Sequence, residues 1–193
     1  QLDVAKAALI GEPVTLADGV AAVSVAATGL VAYRTGAGNQ RQLTWVDRSG
    51  TPRGTVGDPD GNDLRSPKVS PDGRRVVVSR IVQGNSDIWL LDGARMIRVT
   101  FDAANEQFPI WSLDGARIIF RSLRAGPGLY QKLASLAGTE EPVMTNSRTA
   151  GSMSFSAGGR FLLYQVNDPQ SDADLWVVPM AGDRTPSVVM NTP

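Results

Sequence analysis

Asp58, Asp60, Asn62 and Asp63 place four side-chain oxygen donors close together in one short stretch of this chain. Oxygens spaced in this way can wrap a hard cation such as Ca²⁺. An EF-hand loop would need its glycine later than Gly61 and a glutamate where Val69 stands, so the segment reads first as a polar connection rich in turn formers. Glu140 and Glu141 are adjacent, and neighbours in an extended chain point to opposite faces, so they are expected to be solvated loop residues rather than an acid–base pair. Asp168, Asp172 and Asp174 cluster near the C-terminus, and Asp87 holds the position of Asp174 in an earlier repeat, which points to capping of a strand start. Trp45, Trp89, Trp111 and Trp176 could stack a ligand, but packing between repeated units accounts for all four. Arg74, Arg75, Arg117 and Arg160 follow equivalent turns and could rim one face for an anionic partner. The chain carries 19 basic and 19 acidic residues, and that zero balance favours solvated turn positions.

The missing residues narrow the chemistry further. There is no cysteine and no histidine in the 193 residues. Disulfides, thiolate nucleophiles, a Ser-His-Asp triad and His-ligated metals are therefore excluded. No catalytic residue and no cofactor is expected within the chain. The charge balance argues against a nucleic-acid binder. No run of 18 apolar residues exists, so no membrane span is expected. The start at Gln1 shows no basic region leading into an apolar core, and the absence of Met there suggests a processed or excised piece.

The elements that would position these residues come from a repeat. Pro67–Arg80 contains Ser70-Pro71-Asp72-Gly73 followed by Val76-Val77-Val78; Pro109–Arg121 contains Ser112-Leu113-Asp114-Gly115 followed by Ile118-Ile119-Phe120. Met153–Tyr164 contains Ser156-Ala157-Gly158-Gly159, and Ala22–Tyr33 is a degraded first copy anchored on Ser24. The anchor serines 24, 70, 112 and 156 recur at spacings of 46, 42 and 44. Each copy predicts a β-hairpin whose turn is type I closed by a left-handed glycine. A third strand follows in each copy, at Leu43–Asp47, Asp87–Gly93, Leu129–Leu133 and Asp174–Pro179. A weaker fourth strand closes each unit, at 54–56, 97–100, 143–144 and 187–190. Four antiparallel strands per repeat of this length predict the blade of a β-propeller, which buries its faces only by stacking on its neighbours. The expected fold is all-β, a partial ring of four complete blades (21–57, 66–103, 107–146 and 151–190) in one domain, residues 1–193. Residues 1–20 would supply an orphan outer strand of a preceding blade around Pro13–Leu16, in a longer propeller of six to eight blades. Asp3–Leu9, rich in helix formers, is the one helical expectation. Val69, Trp111 and Phe155, each just before an anchor serine, are expected to be buried between blades.

The Ser-Pro-Asp-Gly turn and the Asp87-Ile-Trp-Leu-Leu-Asp92 strand resemble TolB-type propeller repeats, relatives of WD-repeat blades. The longer phrasing, including Gly11-Glu-Pro-Val14, Leu43-Thr-Trp-Val-Asp-Arg-Ser-Gly50 and Ala173-Asp-Leu-Trp-Val-Val-Pro179, resembles the C-terminal propeller of bacterial serine/threonine kinases of the acidobacterial type. That resemblance implies a non-catalytic sensor or interaction platform, with a kinase domain upstream, a membrane span between them and the propeller on the extracytoplasmic side. The chain lacks the kinase's Gly-rich loop, His-Arg-Asp loop and Asp-Phe-Gly motif. The same blades occur in gating propellers of prolyl-oligopeptidase-type peptidases and in TolB-like periplasmic proteins, and these are the alternatives. The expected partner is a protein or small molecule, with self-association through open blade faces.

Overall fold

A computed structural model of the chain describes residues 2–3, 8–9, 20–25, 31–35, 40–145, 149–168 and 172–191. The described residues are organised entirely in strands and their connections. Four four-stranded antiparallel sheets follow one another along the chain, each ordered as in sequence. The first holds β3 (Val20–Val25), β4 (Val31–Thr35), β5 (Arg41–Val46) and β6 (Pro52–Asp60). The second holds β7 (Asp63–Val69), β8 (Arg75–Val82), β9 (Asn85–Asp92) and β10 (Arg95–Arg98). The third holds β11 (Glu106–Trp111), β12 (Arg117–Ser122), β13 (Gly128–Leu133) and β14 (Glu141–Thr145). The fourth holds β15 (Thr149–Phe155), β16 (Phe161–Asp168), β17 (Asp172–Pro179) and β18 (Ser187–Met190). The first strands line up side by side, β3 against β7, β7 against β11 and β11 against β15, so they form the inner wall of an arc. This is a partial β-propeller.

The stacking explains why the second strands are apolar without alternation. Val76, Val77 and Val78 are each fully buried, because β8 is covered on both faces. Val76 and Val78 join Ala32, Leu43 and Val56 in a core between the first and second sheets. Val77 points the other way, with Ile88 and Leu90, into a core shared with Trp111, Ile118 and Phe120 of the third sheet. Ile119 and Leu129 then meet Met153, Leu162 and Tyr164 of the fourth. Burying one such side chain contributes about 1.5–3 kcal/mol, so these inter-sheet cores are the main source of stability.

The inner hairpins close as the repeat predicts. Gly73, Gly115 and Gly159 donate their N–H groups to the carbonyls of Ser70, Ser112 and Ser156 at 2.8–2.9 Å. Gly73 and Gly115 lie at φ 75° and 68°, conformations that cost a side chain dearly. The serine hydroxyl ties the turn together. Ser70 Oγ accepts the Arg75 N–H at 2.9 Å and donates to Asp72 Oδ1 at 2.5 Å. Ser112 does the same with Arg117 and Asp114. Ser70 is fully buried, so Ser70→Ala leaves the Arg75 N–H without its acceptor and should cost about 1–3 kcal/mol. Urea unfolding should show a lower midpoint with an unchanged slope. An unchanged midpoint would show that the hydroxyl contributes nothing to the turn.

Two expectations are corrected here. Asp3–Leu9 is not a helix at its described ends: β1 (Leu2–Asp3) pairs antiparallel with β2 (Ala8–Leu9). A segment that short cannot offset the cost of helix nucleation, and strand pairing overrides its propensity. Ser24 is not a turn serine either. The last inner pairs before the four turns are Val25–Val31, Val69–Val76, Trp111–Ile118 and Phe155–Leu162. Ser24 therefore matches Lys68, two residues earlier than the Ser70 position the motif assigns it, and its Oγ accepts the N–H of Val69 at 2.9 Å. The shorter first turn shifts the frame by one residue, which reverses the faces of the strands that follow. Trp45 consequently pairs with Ala32 and faces the second sheet, while Trp89 faces the first, and the two enter the same core from opposite sides. The expected outer strand at Pro13–Leu16 lies outside the described residues.

Candidate functional site

The inner strands of all four sheets converge on one open cavity of about 590 Å³. Its wall is mostly apolar, with Val25, Val69, Trp111, Leu113 and Phe155 at the turn ends of the strands, and Lys68 is the one basic residue on it among the described residues. Val69 and Trp111 are buried and Phe155 is partly buried, as expected for equivalent positions. Trp111 is held firmly: its Nε1 donates to the Lys68 carbonyl at 3.0 Å, and the Arg75 guanidinium lies 4.9 Å from the ring centroid. Two serine–aspartate pairs stand at the rim, Ser70 with Asp72 and Ser112 with Asp114. The serine hydroxyl, together with the backbone N–H groups of Arg74 and Ala116, holds each carboxyl below the usual carboxylate range. Such carboxylates are weak bases, and both are occupied in closing turns, so neither pair is an activated nucleophile.

The Asp58–Asp63 segment joins the first sheet to the second, and arginines occupy its carboxylates. Asp60 Oδ1 accepts from the Asn62 backbone N–H at 2.8 Å and from Asn62 Nδ2 at 2.7 Å, while Oδ2 accepts from Arg80 Nε at 2.5 Å. Burial alone would raise this carboxyl, but Arg80 and Asn62 outweigh it and hold it low. Asp63 pairs with Arg41 and with Arg65, and Asp58 is exposed. Among the described residues, no group of three or more acidic side chains is placed to hold a metal ion. Arg80 continues from Asp60 onto the face of Trp89, 4.5 Å from its centroid, so the segment works as a stacked brace between two sheets.

The remaining candidates also serve packing. Asp87 is buried and pairs with Arg98 at 2.8 Å, and Asp174 is buried at the equivalent place in the fourth sheet. The side chains of Asp168 and Asp172 lie outside the described residues. Among the turn arginines, Arg75 covers Trp111, Arg117 pairs with Glu141 at 3.4 Å, Arg160 lies 5.8 Å from the Phe161 centroid and Arg74 is exposed. They do not converge on one anion site.

One cluster escaped the sequence reading. Glu106, at the start of β11, is fully buried. Its Oε1 accepts from Arg124 and from Ser122 Oγ, while Oε2 has no hydrogen-bond partner. Arg124 also pairs with Glu140, lies 3.7 Å from Asp102 and covers the Tyr130 ring at 4.3 Å. One guanidinium thus holds three carboxylates and ties the connector from the second sheet to two loops of the third. Glu140 is therefore a partly buried partner of Arg124 and not a solvated loop residue; Glu141 beside it is exposed, so the two do point apart. Burial pushes Glu106 above the usual carboxylate range, and Glu140 adds to the rise, while the Thr100 hydroxyl and Arg124 pull it back. A signal was present in the repeat. Glu106 pairs with Ser122 as Leu64 pairs with Arg80, so a buried charged residue stands where the preceding copy has a leucine.

The architecture defines the class: a partial β-propeller of four-stranded antiparallel blades. No family model matches the chain, and no curated protein matches it. Among solved structures it is similar to TolB from Acinetobacter baumannii, with a TM-score of 0.76 and 18% identity over 90% of this chain and 44% of that one. It is also similar to oligogalacturonate lyase from Vibrio parahaemolyticus (TM-score 0.68, 14% identity, 92% of this chain and 56% of that one). A third is a puromycin-hydrolyzing peptidase from Mycobacterium tuberculosis (TM-score 0.67, 12% identity, 89% of this chain and 29% of that one). At these identities the likeness establishes the fold, and the chain spans less than two thirds of each of these proteins.

Proposed function

We propose that the chain is a non-catalytic propeller segment that binds a protein or small-molecule ligand on its concave inner face, as the extracytoplasmic sensor part of a bacterial receptor-type serine/threonine kinase. The observation that carries this reading is the convergence of four inner strands on one mostly apolar cavity whose rim pairs, Ser70–Asp72 and Ser112–Asp114, are committed to turns. The kinase context rests on the resemblance of the Leu43–Gly50 and Ala173–Pro179 stretches, and a kinase domain encoded upstream would support it. A second reading, the gating propeller of a serine peptidase, is favoured by the likeness to the mycobacterial peptidase, and a Gly-x-Ser-x-Gly elbow in a flanking domain would decide for it.

Binding and catalysis are separable in one set of measurements. The purified chain should show no turnover of oligogalacturonate or puromycin above buffer, and turnover of either would refute the non-catalytic reading. An anilinonaphthalene sulfonate probe should bind the cavity saturably. Leu113 lines the cavity and is half exposed, so Leu113→Glu should weaken that binding about tenfold without lowering the melting temperature. Unchanged binding would remove the concave face as the site.

A further inference from the structure

The stacking of the sheets shows what covers a blade face, and among the described residues the outer face of the fourth sheet and the inner edge of the first lack that cover. At the centre of the second strand, Ala32, Val77 and Ile119 occupy one repeat position and are 0%, 0% and 1% exposed. At the third strand, Leu43, Ile88 and Leu129 share another, at 1%, 0% and 0%. In each case the following sheet covers them. The fourth sheet carries Leu163 and Leu175 at the same two positions, and both are partly exposed. Met190, which pairs with Leu175, is 60% exposed.

The first sheet shows the complementary deficit along its inner edge. Val25 is the repeat equivalent of Val69 and Trp111, which the preceding sheet covers to 8% and 6% exposure; Val25 itself is 64% exposed, and Val23 beside it 54%. Val31 and Val46 further out on that sheet are buried, so the open part is the inner edge. The sheet–sheet interfaces inside the chain thus leave an open half-interface on the fourth sheet and an open inner edge on the first. One end offers the inner-strand residues, and the other offers the second- and third-strand surface that receives them.

We propose that these two surfaces are the halves of one interface, and that the first sheet of a second copy of this chain seats its inner edge on the open face of the fourth sheet, head to tail. Trp111 sets the geometry, since its indole reaches the Lys68 carbonyl of the neighbouring sheet. Ser154 pairs with Leu163 as Lys68 pairs with Val77, so Ser154 of one copy lies where Val25 of the other arrives. A head-to-tail contact either closes or propagates, so the assembly is a ring of two or more copies or an open filament.

Sedimentation velocity over a wide concentration series tests this on the 193-residue chain. The mass is expected to rise from 20.5 kDa to at least twice that value. Val25→Glu places a charge against an apolar surface and should weaken association about tenfold. Val25→Glu combined with Ser154→Lys brings opposite charges together and should recover most of that loss, with melting temperatures confirming that each variant is folded. A monomer at every concentration overturns the second copy as occupant and leaves a further sheet of the same polypeptide in its place. Association that survives Val25→Glu unchanged, or a double variant no better than the single one, overturns the assigned surfaces.

Discussion

Trp111→Ala is expected to cost about 3–5 kcal/mol, the range for emptying a large aromatic site in a core. Trp111 is only 6% exposed, and its ring packs in one cluster with Val77, Ile88, Leu90 and Val99 of the second sheet. Alanine would also strip the Lys68 carbonyl of its indole donor and leave the Arg75 guanidinium without the ring beneath it. Trp111→Phe keeps most of the buried area and should lose only about 1–2 kcal/mol, chiefly from the missing N–H. Urea unfolding of the three proteins checks the order. A Trp111→Ala midpoint equal to that of the parent would mean that the ring does not fill the core between the second and third sheets.

Arg124→Ala is expected to be as damaging, but only where its partners are charged. Removing the guanidinium leaves Glu106 fully buried beside Glu140 and Asp102, and breaking a buried pair in this way typically costs about 3–5 kcal/mol. The sign of the pH dependence follows from the direction of the Glu106 shift. Its carboxyl titrates above the ordinary value in the folded chain, so the folded state holds a proton that the unfolded state has released. The contribution of Glu106 to stability is therefore greatest below the unfolded value, falls as pH rises through the folded value, and is flat beyond it. Loss of Arg124 should push the carboxyl higher still, so the penalty should be near its maximum at neutral pH and shrink on acidification. Glu106→Gln should remove that slope and leave Arg124 paired with Glu140. Comparing each variant with the parent at every pH cancels Asp60, Asp72 and Asp114, whose lowered carboxyls act in the opposite sense, stabilising above their unfolded values and losing that effect as pH falls. An Arg124→Ala penalty that is the same at acidic and neutral pH would show that packing on Tyr130, and not charge, is what Arg124 contributes.

The hairpins were legible because their causes are local. A serine, a turn former and a glycine with positive φ lie within four residues, and the β-branched run that follows needs a strand. Where a cause was not local, the reading failed in a specific way. The degraded first copy carries no Asp-Gly turn to mark its length, so its serine anchor misses by two residues on the first strand and by one on the strands that follow, and a period of two turns that one-residue error into the opposite face. Trp45 and Trp89, both on third strands, stand at adjacent repeat positions and so face opposite ways. Glu140 was read as solvated because its neighbour gave no hint of Arg124, sixteen positions earlier; the pair exists because β13 brings the loop on either side of it together.

The sequence by itself determined the strand content, the four-strand repeat, the inner turns and the absence of thiol and imidazole chemistry, since each depends on residue type and short-range spacing. Only the tertiary structure decided which face each strand buries, which carboxylates are neutralised and which surfaces stay open. Asp60 and Asp63 looked like cation ligands along the chain, and it is Arg80 and Arg41, delivered by other strands, that occupy them. Leu163 and Val77 are equally apolar in sequence and hold the same repeat position, yet one is partly exposed and the other is not. The difference is the presence of a following sheet, and burial is a property of what packs against a residue, which no residue carries in its own identity.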